Sequence, residues 1–150
     1  MDLTKQEFEE ISSKSPIVNV DLLIQNEKKE ILLSWRDDEF DIGWHFPGRC
    51  VRHQETLIIA AKKCFIDEIG VYDKNVDPFM IDYNEIINYE RKVRAHFISF
   101  LYKYYLNSKT SFINNSKKET DGGYLKWFYK MPNNLIDCHK EVYSQYFMEK

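Results

Sequence analysis

The fold of this chain is decided by one stretch, from Gly48 to Val71, which reads GRCVRHQETLIIAAKKCFIDEIGV. Its first eight residues are mostly polar and begin with a glycine, as is typical of a loop. From Thr56 to Ile69 the apolar residues recur at steps of three and four, which predicts an amphipathic helix. Gly70 is well placed to cap the C-terminus of that helix. The stretch therefore predicts a loop that enters a helix ending in two acids, Asp67 and Glu68.

Acids at the end of a helix suit a divalent metal ion. Mg²⁺ prefers oxygen ligands in octahedral geometry and keeps several waters. Side chains four positions apart share one face of a helix, which pairs Cys64 with Glu68 and Lys63 with Asp67. Glu55, near the helix start, is placed to orient Lys63 or the acids across the turn. The alternative is that these charges form ordinary surface ion pairs, which contribute little to stability.

The stretch resembles the Nudix box. In that pattern a glycine is followed after five residues by Glu, and after seven more by Arg-Glu-apolar-x-Glu-Glu-x-Gly-apolar. Glu55 anchors the match, and Lys63 stands where the family has Arg. Asp67 and Glu68 stand at the Glu pair, whereas Cys64 replaces a box glutamate. Lysine keeps the charge of arginine but loses its bidentate fork.

The rest of the chain predicts strands interleaved with helices. A short helix over about residues 4–13 is predicted by the capping-box spacing of Thr4 and Glu7. The long polar segment Asn107–Gly123 has the length of a functional lid or a mobile loop. A final helix carries an aromatic and apolar stripe, and strands are predicted at Ile17–Gln25, Glu30–Trp35, Trp44–Gly48, Phe79–Tyr83, Val93–Tyr105 and Tyr124–Tyr129.

This order of elements indicates an α/β or α+β sandwich. The resemblance implies more specifically the Nudix fold, a mixed β-sheet sandwiched between α-helices. The chain has 150 residues, 43% of them hydrophobic, which fits a single domain over residues 1–150 and argues against disorder. Within that domain Trp44 is expected to pack in the core rather than line a pocket.

Composition excludes several classes of protein. The net charge is -3 with both signs interspersed, which gives no electrostatic footprint for nucleic acid or an anionic membrane. No apolar run approaches the roughly 20 residues that cross a bilayer. The three cysteines, Cys50, Cys64 and Cys138, are odd in number and lack metal spacing. We therefore expect reduced thiols in a cytoplasmic protein, with neither nucleic acid nor membrane as a partner.

The resemblance extends to one branch of the family, the GDP-mannose mannosyl hydrolases, over nearly the full length. It implies a nucleotide-sugar substrate, Mg²⁺ with Mn²⁺ as the alternative, and a homodimer with the first helix as the contact. In this branch water attacks the anomeric carbon and the nucleoside diphosphate leaves. The residues that carry the match are Glu7-Phe8, Pro16-Ile17-Val18, Asp21, Leu32-Leu33 with Arg36, Glu55-Thr56-Leu57, Ala60-Ala61 and Tyr146-Phe147.

The same resemblance assigns roles to individual residues. Glu68 is the strongest expected metal ligand, because a carboxylate at the helix end can hold a metal that also touches phosphates. The other expected metal ligands are the backbone carbonyl of Arg49, Asp67 and Asp121. Contacts to the substrate are expected from Glu7, Arg36, Arg49, Arg52 and Lys63, and a planar guanidinium suits a diphosphate.

The match breaks at the catalytic base. Counting back from Trp127, the Gln-His pair of the branch falls on Asp121 and Gly122, and a glycine cannot accept a proton. His96 is one replacement candidate for the catalytic role, with an ordinary structural histidine as the alternative. Glu119 or Asp121 is another, but a carboxylate that titrates at about pH 4 is a weak base unless it is desolvated.

Three functions therefore stay open. The first is hydrolysis of a nucleoside-diphosphate sugar at the anomeric carbon. The second is an ordinary Nudix pyrophosphohydrolase, which cleaves the diphosphate, and the Asp67-Glu68 pair is compatible with it. The third is a nucleotide-sugar binder with impaired catalysis, favoured by Gly122 and by Arg49-Cys50, which replace the second glycine and the arginine of the family's Gly-Gly-Arg.

Overall fold

The computed structural model describes residues 3–71, 77–113 and 117–148, which form four helices around one seven-stranded sheet. The α+β class with a mixed sheet is confirmed. The helices are α1 Lys5–Ser12, α2 Leu57–Ile69, α3 Asp137–Tyr143 and α4 Gln145–Met148. The strands are β1 Ile17–Gln25, β2 Ile31–Asp37, β3 Ile42–His45, β4 Gly48–Cys50, β5 Phe79–Ile87, β6 His96–Tyr105 and β7 Leu125–Phe128.

The sheet is built around β1 and β6, which pair in parallel from Ile17 opposite Phe97 to Gln25 opposite Tyr105. The other pairs are antiparallel, and the main strand order is β3-β2-β1-β6-β5. Strand β7 adds to β2, and β4 adds to β1. The resulting mixture of parallel and antiparallel pairs leaves β1 in the middle, where most of its side chains, from Val20 to Ile24, are buried.

A fork in the sheet prepares the site. Strands β1 and β2 pair at their turn, where Gln25 lies opposite Ile31, and the segment 42–50 then lies between them. One short strand that ends in a turn was predicted in Trp44–Gly48, with a loop from Gly48, but there are two strands: β3 pairs with β2, and β4 pairs with β1. Pro47 separates them because it has no N–H to donate to a ladder. Its carbonyl instead accepts from the N–H of Leu22 at 2.8 Å.

Apolar side chains fill both faces of the sheet, so that it lies between α2 and the C-terminal helices. Trp44 packs in the core, as predicted, with its ring 4.9 Å from that of Phe128. The cluster under α2 includes Val20, Leu22, Ile24, Leu32, Ala60, Ala61, Cys64, Phe65 and Ile69. The cluster under α3 and α4 includes Leu23, Ile31, Leu33, Trp44, Phe46, Leu101, Leu135, Tyr143 and Phe147.

The helix ends agree with the sequence to within one residue. The side chain of Thr4 accepts from the N–H of Glu7 at 3.2 Å while the Glu7 carboxylate accepts from the N–H of Thr4, which is the predicted capping box. At α2, the Thr56 hydroxyl accepts from the third N–H of the helix. Gly70 ends α2 with φ of 75°, a conformation that favours glycine.

The largest differences from prediction lie in the later part of the chain. Strand β5 continues to Ile87, past the predicted Phe79–Tyr83. Strand β6 begins at His96 rather than Val93, because the turn before it is closed by a hydrogen bond from the N–H of Asn88 to the carbonyl of Ala95. The final helix is divided in two, α3 and α4. In the described ranges no helix is both long and apolar enough to cross a membrane.

Candidate functional site

A cleft of 1480 Å³ runs along the fork in the sheet. At one end it is lined by the last turn of α2 and by the start of β4, with Asp67, Glu68 and Arg49. At the other end it is lined by Phe8 of α1 and by Arg94 from the turn before β6. The main helix, the fork and α1 therefore all contribute to one open groove.

Glu68 is the most unusual group in the cleft. Its Oε2 atom is buried and has no hydrogen-bond partner among the described residues, although the backbone N–H of Gly48 donates to the carboxylate. Burial, followed by the nearby charge of Asp21, raises the pKa of Glu68 to about 8. A buried carboxylate oxygen without a partner is costly, and a bound cation is one way to satisfy it.

The neighbouring carboxylate, Asp21, is fully satisfied by protein groups. Its Oδ2 accepts from the hydroxyls of Ser99 at 2.6 Å and Tyr143 at 2.5 Å. Its Oδ1 accepts from the amide of Asn19 at 3.0 Å. Burial raises the pKa of Asp21, and the hydrogen bonds from Ser99 and Tyr143 act in the opposite direction. Asp21 therefore ties β1 to β6 and α3 directly beneath the cleft.

Removing one of these donors is expected to destabilise the protein. Tyr143→Phe leaves the buried Asp21 carboxylate with one donor fewer, so the free energy of unfolding should fall by about 2 kcal/mol. Urea denaturation at neutral pH measures this change. Tyr83→Phe is the control, because that residue is 68% exposed and the loss of its hydroxyl should not alter the denaturation midpoint. Equal stabilities of the two variants would show that Tyr143 does not solvate Asp21.

Two cations near the start of α2 share the carboxylate of Glu55. The carboxylate of Glu55 accepts from Arg49 at 3.1 Å and from Lys63 at 3.2 Å. Glu55 thus orients Lys63 across the turn, as the sequence indicated, and the pair Lys63–Asp67 does not form. Asp67 instead lies 3.9 Å from Arg49 with 72% of its side chain exposed. The cations around Glu55, with Arg52 beside them, line a second depression of 410 Å³.

Helix α2 directs one carboxylate inward. Cys64, one turn before Glu68, is only 1% exposed and packs in the apolar cluster under α2, where burial raises the pKa of its thiol. Among the described residues, no three His, Cys, Asp or Glu side chains are grouped so that they could hold a metal ion. Mg²⁺ commonly takes much of its coordination from backbone carbonyls, water and substrate oxygens.

Arg36 lines the middle of the cleft but already has acidic partners. Its Nε lies 2.6 Å from Asp38 and its Nη1 lies 3.3 Å from Asp41. Arg91 also donates to Asp41 and to the carbonyl of Phe40. These contacts hold the acidic loop after β2 against Arg36 and Arg91. An anion that binds Arg36 must therefore compete with two carboxylates.

Arg94 is held differently. Its guanidinium carbon lies 4.5 Å from the ring centre of Phe40 and 5.3 Å from that of Phe8. Its backbone N–H donates to the hydroxyl of Ser12 at 3.0 Å, which ties it to the end of α1. No carboxylate of the described chain pairs with the guanidinium. Stacking fixes a planar cation in the cleft and leaves its N–H groups available to a ligand.

Several residues selected from the sequence lie away from the cleft lining. His96 pairs with Glu85 at 3.1 Å, and Glu119 accepts from Lys126 at 2.8 Å. The Asp121 carboxylate accepts from the N–H of Lys118 and closes a turn, while its neighbour Gly122 lines the cleft. Glu7 is occupied in the capping box of α1. The predicted lid lies partly outside the described residues, at 114–116.

Arg94 and His45 were not among the residues selected from the sequence. Both line the cleft, but neither belongs to the Nudix box or to the positions that match the mannosyl hydrolase branch. The available signal for His45 was its place between Trp44 and Phe46, since strand alternation turns it away from the face that those two aromatics share. For Arg94 the local sequence carried no such signal, because its partners are far away in the chain.

Comparison with known proteins places this geometry in a family. The model of the NUDIX domain matches residues 15–131, well over half of the chain. A MutT protein of Methanosarcina mazei is similar in structure, with a TM-score of 0.63 and 19% identity over 91% of this chain and 96% of that one. A MutT NUDIX hydrolase of Burkholderia pseudomallei has a TM-score of 0.61 and 18% identity, covering 83% and 92%.

A third similar structure is the NUDIX domain of NrtR from Shewanella oneidensis, solved in complex with ADP ribose. Its TM-score is 0.63 and its identity is 14%, over 99% of this chain and 93% of that domain. Likeness at these identities shows a shared fold, and the domain match extends it to the family. The loop that enters α2, the acids at the end of that helix and the mixed sheet around them are accordingly those of a Nudix domain, and the chain belongs to the Nudix family.

Proposed function

We propose that this protein hydrolyses a nucleoside-diphosphate sugar of the GDP-mannose type at the anomeric carbon and releases the nucleoside diphosphate. The observation that carries the proposal is the buried, unpartnered Oε2 of Glu68 at the end of a cleft that also contains Arg36, Arg49 and Arg94. A carboxylate that suits a cation and arginines that suit phosphate oxygens lie in one groove, as a metal-bound diphosphate requires.

The residues at this end of the cleft fit a divalent ion. Nudix hydrolases generally use such ions, Mg²⁺ among them. Glu68 and the backbone carbonyl of Arg49 would hold Mg²⁺, or Mn²⁺ in its place, with Asp67 near enough in sequence to add a further oxygen or a bound water. The ion would stabilise the negative charge that develops on the departing diphosphate.

The cations of the chain act on the same charge. Arg49, oriented by Glu55, presents a fixed cation near Glu68, and Lys63 holds the other side of the Glu55 carboxylate. Donors that are positioned before the reaction stabilise a developing anion without reorganising. Because the diphosphate is then a good leaving group, the bond to the sugar can break through an oxocarbenium-like state without a separate acid. The single inward carboxylate of α2, with Cys64 in place of a second, resembles the mannosyl hydrolase branch in this respect.

The other end of the cleft supplies binding. Arg94, stacked on Phe8 and Phe40, is placed to bind acceptor atoms of the substrate away from the reacting bond. The NUDIX domain of NrtR, which is similar in fold, was solved with ADP ribose, itself a nucleoside diphosphate joined to a sugar. This supports a ligand of the same chemical class. Association as a homodimer through α1, and a cytoplasmic location, stay predictions.

The role of Arg94 gives a kinetic prediction. Arg94→Gln removes charge-assisted hydrogen bonds that substrate and transition state share, so KM should rise about tenfold while kcat stays the same. Steady-state kinetics with GDP-mannose, together with calorimetric titration of GDP, measures the effect. Lys92→Gln is the matched control, since it removes one charge from the same turn at an exposed position. Unchanged KM in the Arg94 variant would remove this residue from the binding site.

Two other functions compete with the proposal. Cleavage at phosphorus is favoured by Asp67, which adds a second carboxylate to the helix end beside Glu68. Binding without turnover is favoured by Gly122, which lines the cleft where the mannosyl hydrolase branch has its base. Each function gives a different product, so one experiment separates them.

The test is hydrolysis in ¹⁸O-labelled water. The protein is incubated with GDP-mannose and other nucleotide sugars plus Mg²⁺, and the products are followed by proton and phosphorus NMR and by mass spectrometry. Free sugar carrying the label, together with GDP, is the expected result. Mannose 1-phosphate and GMP, with the label on phosphorus, would replace the proposal by pyrophosphate cleavage. Saturable binding without products would leave a nucleotide-sugar receptor.

A further inference from the structure

We propose that His45 is the general base that activates the attacking water, in place of the group that Gly122 lacks. The inference rests on the proposed function, because it concerns a water attacking the substrate in the same cleft. It stands on three features of His45: its position in the fork, the hydrogen bond that fixes its tautomer, and the free nitrogen that this bond leaves in the cleft.

His45 is the last residue of β3. Beyond it the chain stops pairing with β2 and, as β4, pairs with β1. Its neighbours Trp44 and Phe46 pack in the cluster under α3 and α4. Successive side chains of a strand point to opposite faces, so His45 is directed away from that cluster. It lies opposite Ser34 in the β2–β3 ladder, and both residues line the cleft. The imidazole is therefore in the groove that also contains Glu68.

The hydrogen bonding of the ring determines which nitrogen carries the proton. His45 Nδ1 lies 2.7 Å from the carbonyl oxygen of Phe46. A carbonyl can only accept, so Nδ1 must donate, and in the neutral ring Nε2 then carries the lone pair. The backbone thus orients this imidazole much as a third group orients the histidine of a catalytic triad.

The lone-pair nitrogen is accessible. No described residue forms a hydrogen bond to Nε2, and this atom is not among the unpartnered side-chain polar atoms that lack solvent-accessible surface. An unpartnered atom that keeps solvent-accessible surface must face the open space that the ring lines, which is the cleft. A water molecule there has an acceptor of fixed direction.

Burial, together with the groups around the ring, keeps it unprotonated. His139 approaches from α3, with 6.2 Å between ring centres, Arg36 approaches from β2, and Asp21 from β1. Burial, with His139 and Arg36 in support, lowers the pKa of His45 to about 4, while the hydrogen bond to Phe46 and the charge of Asp21 act in the opposite direction. The imidazole is accordingly neutral and ready to accept at physiological pH. Its low basicity places the rate effect at the lower end of the range for a positioned base.

The proposed step balances with water as the only co-reactant. The water oxygen forms a bond to the anomeric carbon while one of its protons moves to Nε2 of His45. The bond between that carbon and the diphosphate oxygen breaks, and its electron pair leaves with the nucleoside diphosphate. The imidazolium then returns its proton to solvent through the open cleft.

The other three histidines are less suited to this role. His139 accepts from the N–H of Phe46 at its Nδ1 and has its Nε2 3.7 Å from Asp21, so both nitrogens face protein groups. His96 pairs with Glu85 outside the cleft lining. His53 is exposed at the mouth and lines it without a residue that orients the ring.

The test compares His45→Asn with the unaltered protein under saturating Mg²⁺. We expect kcat to fall about 10²-fold while KM and the calorimetric affinity for GDP stay unchanged, because the residue acts on the water. His45→Gln repeats the measurement in case the first variant folds poorly, as judged by circular dichroism. In His45→Ala, free imidazole should restore turnover in proportion to its concentration, which a purely structural role would not allow.

The outcomes separate this inference from the proposed function. Full kcat in both variants, a loss that imidazole does not restore, or a loss confined to His96→Asn would overturn the role of His45. Absence of turnover by the unaltered protein would contradict both proposals. Turnover at phosphorus would contradict the proposed site of attack alone, and a rescued loss in the His45 variants would still identify the base.

Discussion

Glu68→Gln should abolish most of the activity while making the metal-free protein more stable in alkaline solution. The amide has nearly the shape of the carboxylate but is a poor ligand for Mg²⁺. We therefore expect kcat/KM to fall about 10³-fold, which corresponds to the several kcal/mol by which a bound ion stabilises the transition state. Steady-state kinetics against Mg²⁺ concentration measures the loss. Asp67→Asn, at a position 72% exposed, should lose far less.

The stability effect has a definite sign. The pKa of Glu68 in the folded protein is about 8, against 4.5 as its ordinary value, so the folded state binds the extra proton between these values. The stability from this group is complete at low pH and is lost as the pH rises through 8. Without metal, the unaltered protein should therefore lose stability between pH 5 and pH 9 relative to Glu68→Gln. Asp21, whose pKa burial also raises, is present in both proteins.

Mg²⁺ should reverse this pattern, because the ion takes the place of the proton on the same oxygen. Metal affinity should rise about tenfold per pH unit until the carboxylate is ionised near pH 8. Thermal unfolding with and without Mg²⁺, at several pH values, follows both effects. An unaltered protein that gains no thermal stability from Mg²⁺ at pH 8.5, or a Gln variant that gains as much, would remove Glu68 from the metal site.

The parts of the fold that sequence predicts well are those decided by local chemistry. The capping box at Thr4, the N-cap at Thr56 and the left-handed Gly70 are formed by residues within four positions of one another. Helix α2 was predicted to its ends for this reason. Strand β1 was predicted to its ends as well, because most of its residues are buried and the segment is correspondingly rich in Val, Ile and Leu.

The fork could not be predicted in the same way. Nothing local in Trp44–Gly48 says that its two halves pair with different strands, since pairing depends on where β1 and β2 separate. The extension of β5 to Ile87 has a similar origin, because its outer residues pair with the start of β6. Strand partners are non-local, and the periodicity of a short segment does not encode them.

The site shows the same division. Glu68, Glu55, Arg49 and Lys63 lie within a short stretch, so a spacing pattern found them together, and the structure joins the last three directly. Arg94 reaches the cleft through two aromatic rings more than fifty residues away in the chain. Such a contact exists only after folding.

Among substitutions that add a single methyl group in the fork, Gly48→Ala should be the most destabilising. A Cβ at this position would lie 2.2 Å from Oδ1 of Asp21 and 2.8 Å from the carbonyl oxygen of Val20. Neither neighbour can yield easily, because the carbonyl belongs to the central strand and the carboxylate is held by Ser99 and Tyr143. We expect the free energy of unfolding to fall by about 3 kcal/mol, at the upper end for overpacking a core.

The loss of stability would come from the steric clash of the added methyl group and not from backbone strain, since the backbone of Gly48 lies outside the left-handed region that favours glycine. Gly122→Ala is the matched control, because nothing lies within 4 Å of its Cβ, and its stability should change by less than about 0.5 kcal/mol. Urea denaturation of both variants without metal makes the comparison. The N–H of Gly48 also donates to Glu68, so displacement of β4 should weaken Mg²⁺ binding in the same variant. If Gly48→Ala were as stable as Gly122→Ala, Asp21 would have room to move, and the fork would not fix the carboxylates at this end of the cleft.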